Sequence, residues 1–308
     1  MENNDLLLPA YYGYIGSKSG FCSKLGPLMP EEAQDAHCEG FGGGLGLFLG
    51  KPKAKINILN DIDGDVIETH VAVAADPVGV MGELEKLRPC RKTFEHLRDL
   101  RETAAWRDLS PAARAAAFIY ITKCSVNGNM RAFSMSAKCR SNFNPHFDLR
   151  PYGTKFERVT FESLHWQELL HRLVFKPKQV NLFLYLDPPY VTADTEKHYR
   201  FNFDAVQHIM LARTLAQINS LNDGDQRNAK VMVSYDDDPD GFIRSLYREE
   251  FGWRLQTIDV RYESEHRANR CRNELVIMNY DPPTNGDEGA VAGDDGPTPI
   301  ASPRASAA

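Results

Sequence analysis

An acid, two prolines and a tyrosine follow an apolar run in the sequence Leu186-Asp187-Pro188-Pro189-Tyr190. The prolines fix the backbone and lack N–H groups, so the Asp187 carboxylate and the Pro188 carbonyl can each accept one hydrogen bond from a flat amine. Two such bonds would orient the exocyclic amine of a nucleobase and shift its electron density towards an incoming methyl group. The Tyr190 ring offers a face on which the base can stack. This Asp-Pro-Pro-Tyr loop therefore has the residue types needed to methylate a base amine.

The amine must also reach the loop, and the loop has a simpler interpretation. A base paired in a duplex arrives there only after rotating out of the stack. The simpler interpretation is a proline turn after a core strand, in which Tyr190 only packs. We favour the chemical interpretation because a glycine turn and another acid precede the loop.

Three adjacent acids, Asp236 to Asp238, suggest a metal site. Methyl transfer from a sulfonium needs no metal, so we predict no metal site.

A glycine turn and a later acid form a second candidate site. The glycine turn is Glu39-Gly40-Phe41-Gly42-Gly43-Gly44, where the backbone can approach a ligand closely. Asp61 follows the next apolar run. A glycine turn, a helix, a strand and then an acid can hold a nucleoside, with the carboxylate on the ribose hydroxyls. The glycine spacing does not match G-x-G-x-x-G, which argues against NAD.

Four apolar segments predict buried strands, and their order predicts an α/β fold. They cover residues 56–59, 180–186, 230–235 and 274–280. The first three end in polar loop residues, as parallel strands covered on both faces do, and ligands gather at the carboxyl ends of such strands. Residues 204–220 have a helical apolar period and predict a right-handed crossover helix between the second and third strands. The stretch 65–158 has helical patterns at 94–106 and 112–121 and is predicted to be an insertion.

Composition restricts the class of protein. The chain has 308 residues, of which 42% are hydrophobic and 25% charged, and these values argue against collagen-like, wholly disordered and disulfide-scaffold proteins. No apolar run approaches the ~18 residues that span a bilayer. Residues 1–5 lack the features of a signal peptide, so we expect a cytoplasmic protein. The six scattered cysteines form no C-x-x-C pair, so we expect reduced thiols.

The net charge of −6 is unevenly distributed. Residues 119–158 contain seven basic and two acidic side chains with aromatic residues between them, whereas residues 281–308 contain five acidic side chains and one basic. A basic stretch of this kind fits a loop laid along nucleic-acid phosphates, and the alternative is a solvated basic loop. The tail 281–308 is rich in Pro, Gly, Ala and Asp and has little to bury, which predicts disorder.

Five motifs occur in an order that resembles the N6-adenine-specific DNA methyltransferases of the deoxyadenosine methylase type. They are Tyr14-Ile15-Gly16-Ser17-Lys18, the glycine turn, Asn60-Asp61-Ile62-Asp63, the Asp-Pro-Pro-Tyr loop, and the closing segment from Arg272 to Tyr280. Together they extend over about residues 12–280. The resemblance implies a Rossmann-like methyltransferase fold, with a mostly parallel sheet, an antiparallel last strand and an inserted, mainly helical target-recognition domain.

The resemblance also implies a cofactor, a partner and roles for individual residues. The methyl donor would be S-adenosylmethionine and the partner double-stranded DNA, methylated by a monomer or weak dimer in a restriction–modification or phage-modification setting. The catalytic domain would comprise residues 1–64 and 159–280, the recognition domain 65–158, and the tail 281–308. By motif position, the implied catalytic residues are Asp187, Pro188, Pro189 and Tyr190; the cofactor contacts are Tyr14, Lys18, Phe41, Gly42, Gly44, Asp61 and Asp187; the DNA contacts are Lys123, Asn127, Arg131, Lys138, Arg140 and Asn144.

The sequence departs from the family pattern in two places. Gly40 stands where the glycine turn of the family has proline, which we expect to loosen the turn. Ile121-Thr122-Lys123 stands where the family has Phe-Asn-Arg, although Asn127 and Arg131 are kept. The second departure bears on which DNA sequence is recognised and not on the fold or the chemistry. Two alternatives stay open from the sequence: adenine methylation of RNA, and a catalytically inactive DNA-binding module on the same scaffold.

Overall fold

A computed structural model describes residues 6–14, 22–134, 147–173, 181–191, 201, 203–222, 228–248, 252–260 and 272–283. This part of the chain contains a seven-stranded sheet. Its strands are β1 Ala36–Glu39, β2 Ile56–Asn60, β3 Val159–Glu162, β4 Asn181–Leu186, β5 Asn228–Asp236, β6 Arg254–Val260 and β7 Arg272–Met278.

The strands lie in the order β3-β2-β1-β4-β5-β7-β6. The first five are mutually parallel, and β7 is antiparallel to both of its neighbours, β5 and β6. The predicted α/β fold, with a mostly parallel sheet and an antiparallel last strand, is therefore confirmed. Because β4, β1 and β2 are adjacent and parallel, the loops at their carboxyl ends emerge side by side.

The four strands predicted from apolar runs correspond to β2, β4, β5 and β7. The other three escaped prediction for physical reasons. Strand β1 has four buried residues, but two of them are His37 and Glu39. The residues of β3 are largely half-buried, and those of β6, at the edge of the sheet, are mostly exposed. An apolar pattern cannot identify a strand that buries polar side chains or few side chains at all.

Helices occupy both faces of the sheet. Those described are α1 Cys22–Leu25, α2 Gly46–Leu49, α3 Gly64–Ala75, α4 Pro77–Glu85, α5 Arg91–Arg101, α6 Pro111–Lys123, α7 Arg150–Lys155, α8 Trp166–Leu173, α9 Ala205–Asn222 and α10 Phe242–Leu246. The helix predicted at 204–220 is α9, between β4 and β5, and the pattern at 112–121 is α6. The pattern at 94–106 is α5 followed by a 3₁₀ turn, Ala104–Asp108. None of these helices has the length and hydropathy needed to cross a membrane.

One hydrophobic core joins the helical region to the glycine turn. Phe48 of α2 belongs to the same buried cluster as Val73 of α3, Phe118 of α6 and Tyr152 of α7. A second cluster, on the opposite face of the sheet, combines β4, β5 and β7 with α8 and α9. The helices between β2 and β3 thus pack directly behind the turn. The division of the chain into a catalytic domain and an inserted domain stays a prediction.

Candidate functional site

The glycine turn is hydrogen-bonded to the strands on both of its sides. The Gly40 N–H donates to the Tyr185 carbonyl of β4 at 3.0 Å, and the Gly42 N–H donates to the Asn60 carbonyl of β2 at 2.7 Å. The Asn60 side chain also donates to the Gly40 carbonyl at 2.9 Å. Asp61 therefore lies on one side of the turn and Asp187 on the other, which brings together the two candidate sites found in the sequence.

Asp61 is a buried acid that is held by backbone donors. Its Oδ2 accepts the Gly43 N–H and its Oδ1 accepts the Asp63 N–H, each at 2.8 Å. Burial raises the pKa of Asp61 to about 6, against the opposing effect of the two N–H groups. Each carboxylate oxygen has a further lone pair available for a sugar hydroxyl. The geometry therefore suits the ribose contact that the sequence predicted.

Gly43 is fixed through its carbonyl as well as its N–H. The carbonyl accepts from the Tyr12 hydroxyl and from His70 Nε2, each at 2.9 Å. Burial lowers the pKa of His70 to about 4, so the ring is neutral near pH 7, and its Nδ1 lies 2.5 Å from the Tyr11 hydroxyl. This pattern assigns the single ring proton to Nε2. Gly43 has a φ of 47°, and a Cβ there would lie 2.9 Å from the Tyr14 ring, so the position requires glycine.

Two neighbouring leucine side chains explain why a glycine stands at position 40. A Cβ at Gly40 would lie 2.5 Å from Leu186 Cδ2 and 3.5 Å from Leu169 Cδ2. Proline would also lack the N–H that bonds to Tyr185. The side chain of Leu186 occupies the space that a larger residue would need, and the hydrogen bonds described above hold the turn on both sides.

The Asp-Pro-Pro-Tyr loop is held by side chains of two strands. Asp187 Oδ1 accepts the Ser234 hydroxyl of β5 at 3.0 Å and lies 3.2 Å from the Tyr190 hydroxyl. The Tyr190 hydroxyl also contacts Glu274 Oε1 of β7. Burial, with the nearby charges of Asp187 and Glu274, raises the pKa of Tyr190 well above its usual value. Pro188 is buried, whereas Pro189 and Tyr190 are half-buried.

The other predicted cofactor residues that the structure describes lie in or beside the turn. Phe41 is half-buried, and its ring meets the Phe203 ring edge-on at 5.6 Å. Gly44 is buried within the turn. Lys18 lies outside the described residues. Ile62, directly after Asp61, keeps 36% of its surface exposed, and it offers an apolar contact beside the acid that the sequence reasoning did not single out.

The described DNA-contact candidates differ in their surroundings. The Lys123 ammonium lies 4.8 Å from the centre of the Phe147 ring, and burial lowers its pKa. Arg131 is exposed, and its carbonyl accepts a hydrogen bond from Arg98 at 2.9 Å. Asn127 lies in the 3₁₀ turn Val126–Gly128. Lys138, Arg140 and Asn144 lie outside the described residues.

The Val126–Gly128 turn contacts the N-terminal segment that carries Tyr14. Gly128 has a φ of 72°, and a Cβ there would lie 2.8 Å from the Gly13 carbonyl oxygen. Gly128, directly after the predicted DNA contact Asn127, is thus positioned beside the segment that covers the glycine turn. Residues of the predicted insertion therefore lie next to the candidate cofactor site at this point.

Besides Ile62, four polar side chains at the site were not predicted as functional residues: Tyr12, His70, Ser234 and Glu274. Glu274 is 2% exposed and is the acid of the closing motif, so the motif gave a signal. Ser234 ends an apolar run next to the predicted acidic loop. Tyr12 and His70 carry no such signal, because they reach Gly43 only through tertiary folding.

Within the described residues, no group of three or more His, Cys, Asp or Glu side chains is arranged to hold a metal ion. Residues 14–263 match the family model for D12 class N6 adenine-specific DNA methyltransferase. No curated protein matches the chain.

Proposed function

The chain belongs to the D12 class N6 adenine-specific DNA methyltransferases, and we propose that its glycine turn binds the methyl donor while its Asp-Pro-Pro-Tyr loop binds the adenine. The protein is an enzyme that methylates the N6 amino group of adenine in DNA. One observation carries the proposal: the parallel strands β4, β1 and β2 are neighbours. Their carboxyl ends bring Asp187, the glycine turn and Asp61 to a single edge of the sheet.

The residues around the turn fit S-adenosylmethionine. This donor, when bound, supplies a methyl group on a positively charged sulfur. Asp61 would accept the ribose hydroxyls, and the backbone of Gly42 to Gly44 would contact the ligand. Tyr14, Phe41 and Lys18 would complete the contacts, and the exposed Ile62 would pack on the adenine base of the donor. The two N–H groups that hold the Asp61 carboxylate fix its direction before the ligand arrives.

The Asp-Pro-Pro-Tyr loop orients the adenine amine. The Asp187 carboxylate and the Pro188 carbonyl each accept one N6–H bond, so the nitrogen lone pair is directed at the methyl group. Tyr190 stacks on the base. Since N6 is paired inside a duplex, the adenine is rotated out of the helix before it meets the loop. In the overall reaction the N6 amine would gain the methyl group and lose one proton to solvent, while the carbon–sulfur bond of the donor breaks and its sulfur keeps the bonding electron pair as a neutral thioether.

The helices and turns between β2 and β3 contact the DNA. Arg131 is exposed and suits a contact with a phosphate or a base edge. Lys123 packs on the Phe147 ring and stabilises the DNA-binding surface. Asn127, Lys138, Arg140 and Asn144 are further proposed contacts. The Val126–Gly128 turn places part of this surface against the segment that carries Tyr14, so DNA and cofactor bind side by side.

The proposal is tested with Asp187→Ala. We expect methylation of duplex DNA to be lost while calorimetry still detects S-adenosylmethionine binding, because Asp61 and the turn are unchanged. Asp240→Ala, an exposed acid near the end of β5, is the matched control and keeps full activity. Structured RNA is assayed in parallel, and methylation of RNA in place of DNA would contradict the proposed substrate. An active Asp187→Ala enzyme would refute the role of the loop.

A further inference from the structure

A buried polar network lies behind the Asp-Pro-Pro-Tyr loop. It contains Tyr185, Ser234, Asp187, Tyr190 and Glu274, contributed by the ends of β4, β5 and β7 and by the loop itself. The Tyr185 hydroxyl lies 2.8 Å from Ser234 Oγ, and Ser234 donates to Asp187 Oδ1 at 3.0 Å. The Tyr190 hydroxyl lies within reach of both Asp187 and Glu274. Three hydroxyls and two carboxylates must therefore share a limited number of protons.

The proton count determines the direction of each bond. Ser234 uses its proton on Asp187, so Tyr185 donates to Ser234. The Tyr190 hydroxyl has one proton and faces two carboxylates, which only accept. Its distance to Asp187 Oδ1, 3.2 Å, is long for a bond from a hydroxyl to a carboxylate, which is usually about 2.5–2.7 Å. Glu274 lies nearer and takes the proton.

In the proposed mechanism the Asp187 carboxylate accepts an N–H bond from the adenine amine. Every additional donor on its carboxylate spreads the negative charge and weakens that bond. If Tyr190 turned its proton to Asp187, it would compete with the adenine amine for the same carboxylate. The contact with Glu274 prevents this competition.

We propose that Glu274 is a positioning residue that draws the Tyr190 proton away from Asp187 and so keeps Asp187 as the acceptor for the adenine amine. The inference rests on the proposed function of the loop. Glu274 acts through Tyr190 and does not touch the base. Its position in β7, opposite Asp236 of β5, holds it behind the loop. Ser234 has the complementary task of fixing the Asp187 carboxylate in place.

The test compares Glu274 variants of the parent protein with the same variants of the Tyr190→Phe protein. Glu274→Met keeps the length of the side chain and removes the acceptor, whereas Glu274→Gln keeps an amide oxygen that can accept from Tyr190. We expect Glu274→Met to slow single-turnover methylation of duplex DNA about tenfold, and Glu274→Gln to slow it less, because an amide oxygen is a weaker acceptor. In the Tyr190→Phe background the phenol proton is absent, so either Glu274 substitution should change the rate less than about twofold.

Each outcome decides the inference. Loss of the Glu274→Met effect in the Tyr190→Phe background supports it. An equal loss of rate in both backgrounds overturns it, since Glu274 would then act independently of the phenol, and so does an unchanged rate for Glu274→Met alone. Cofactor affinity and thermal unfolding are measured for every variant, and if Glu274→Met does not fold, the same comparison is made with Glu274→Gln. The Asp187→Ala assay separates this result from a failure of the proposed function.

Discussion

The glycine turn and the Asp-Pro-Pro-Tyr loop lie side by side, but they are held by different kinds of contact. Backbone N–H and carbonyl groups fix the turn on both sides. The Asp61 carboxylate accepts the N–H groups of Gly43, in the turn, and of Asp63. The acid of the loop is held by a side-chain hydroxyl, that of Ser234. Substitutions in the turn should therefore change backbone conformation and cofactor affinity, whereas substitutions behind the loop should change the rate of methyl transfer.

The largest expected effect comes from Gly43→Ala. Alanine at a φ of 47° costs about 1–2 kcal/mol, and its Cβ would press on the Tyr14 ring. We expect cofactor binding to weaken by about 2–3 kcal/mol, or ~30- to ~150-fold, in calorimetry. Gly82→Ala is the control, since Gly82 is exposed in α4 and a Cβ there meets nothing within 4 Å. Unchanged affinity in Gly43→Ala would show that the turn does not bind the cofactor.

Gly40→Ala should affect both regions, because Gly40 belongs to the glycine turn and lies against the strand that ends at the Asp-Pro-Pro-Tyr loop. Its Cβ would overlap Leu186, the residue before Asp187, and overpacking of this kind costs about 1–3 kcal/mol. We expect lower thermal stability together with losses in both cofactor affinity and transfer rate. Adding Leu186→Val removes the overlapping Cδ2 and should recover part of each loss. The absence of any recovery in the double variant would contradict this explanation of the glycine.

His70→Leu removes one of the two side-chain donors to the Gly43 carbonyl. The loss of that hydrogen bond and the unpaired Tyr11 hydroxyl should weaken cofactor binding by about 1–2 kcal/mol, or ~5- to ~30-fold. The single-turnover rate at saturating cofactor should stay within about twofold of the parent rate, since His70 lies behind the turn. His70→Gln, which can still donate, should lose less affinity. A fall in rate with unchanged affinity would break the division between the two regions.

The smallest expected effect is that of pH on cofactor affinity. The pKa of Asp61 is raised to about 6, and its charged form accepts the ribose hydroxyls. The contribution of Asp61 to cofactor affinity should therefore be constant well above this pH and fall as the pH drops through it, by at most about tenfold per pH unit. Burial also raises the pKa of Glu39 to about 8, so Asp61→Asn is the control that isolates Asp61. An identical acid-side loss in Asp61→Asn would assign the titration to another group.

The sequence allowed the strand ends and their loops to be predicted because short-range features mark them. Prolines stop β4 at Asp187, and glycines mark the turn after β1. The support behind these loops could not be predicted in the same way. The Gly43 carbonyl meets His70 across 27 positions of sequence, and Asp187 meets Ser234 across 47. Such contacts depend on how β1, β4 and β5 and the helices pack, and neither periodicity nor composition contains that information.

The most direct test of the central claim is a crystal structure of the protein with duplex DNA and a non-reactive analogue of the methyl donor. We predict that an adenine is rotated out of the helix and that its N6 lies about 2.7–3.2 Å from both the Asp187 carboxylate and the Pro188 carbonyl. An adenine that remains stacked, or a rotated adenine whose amine bonds to other groups, would contradict the account.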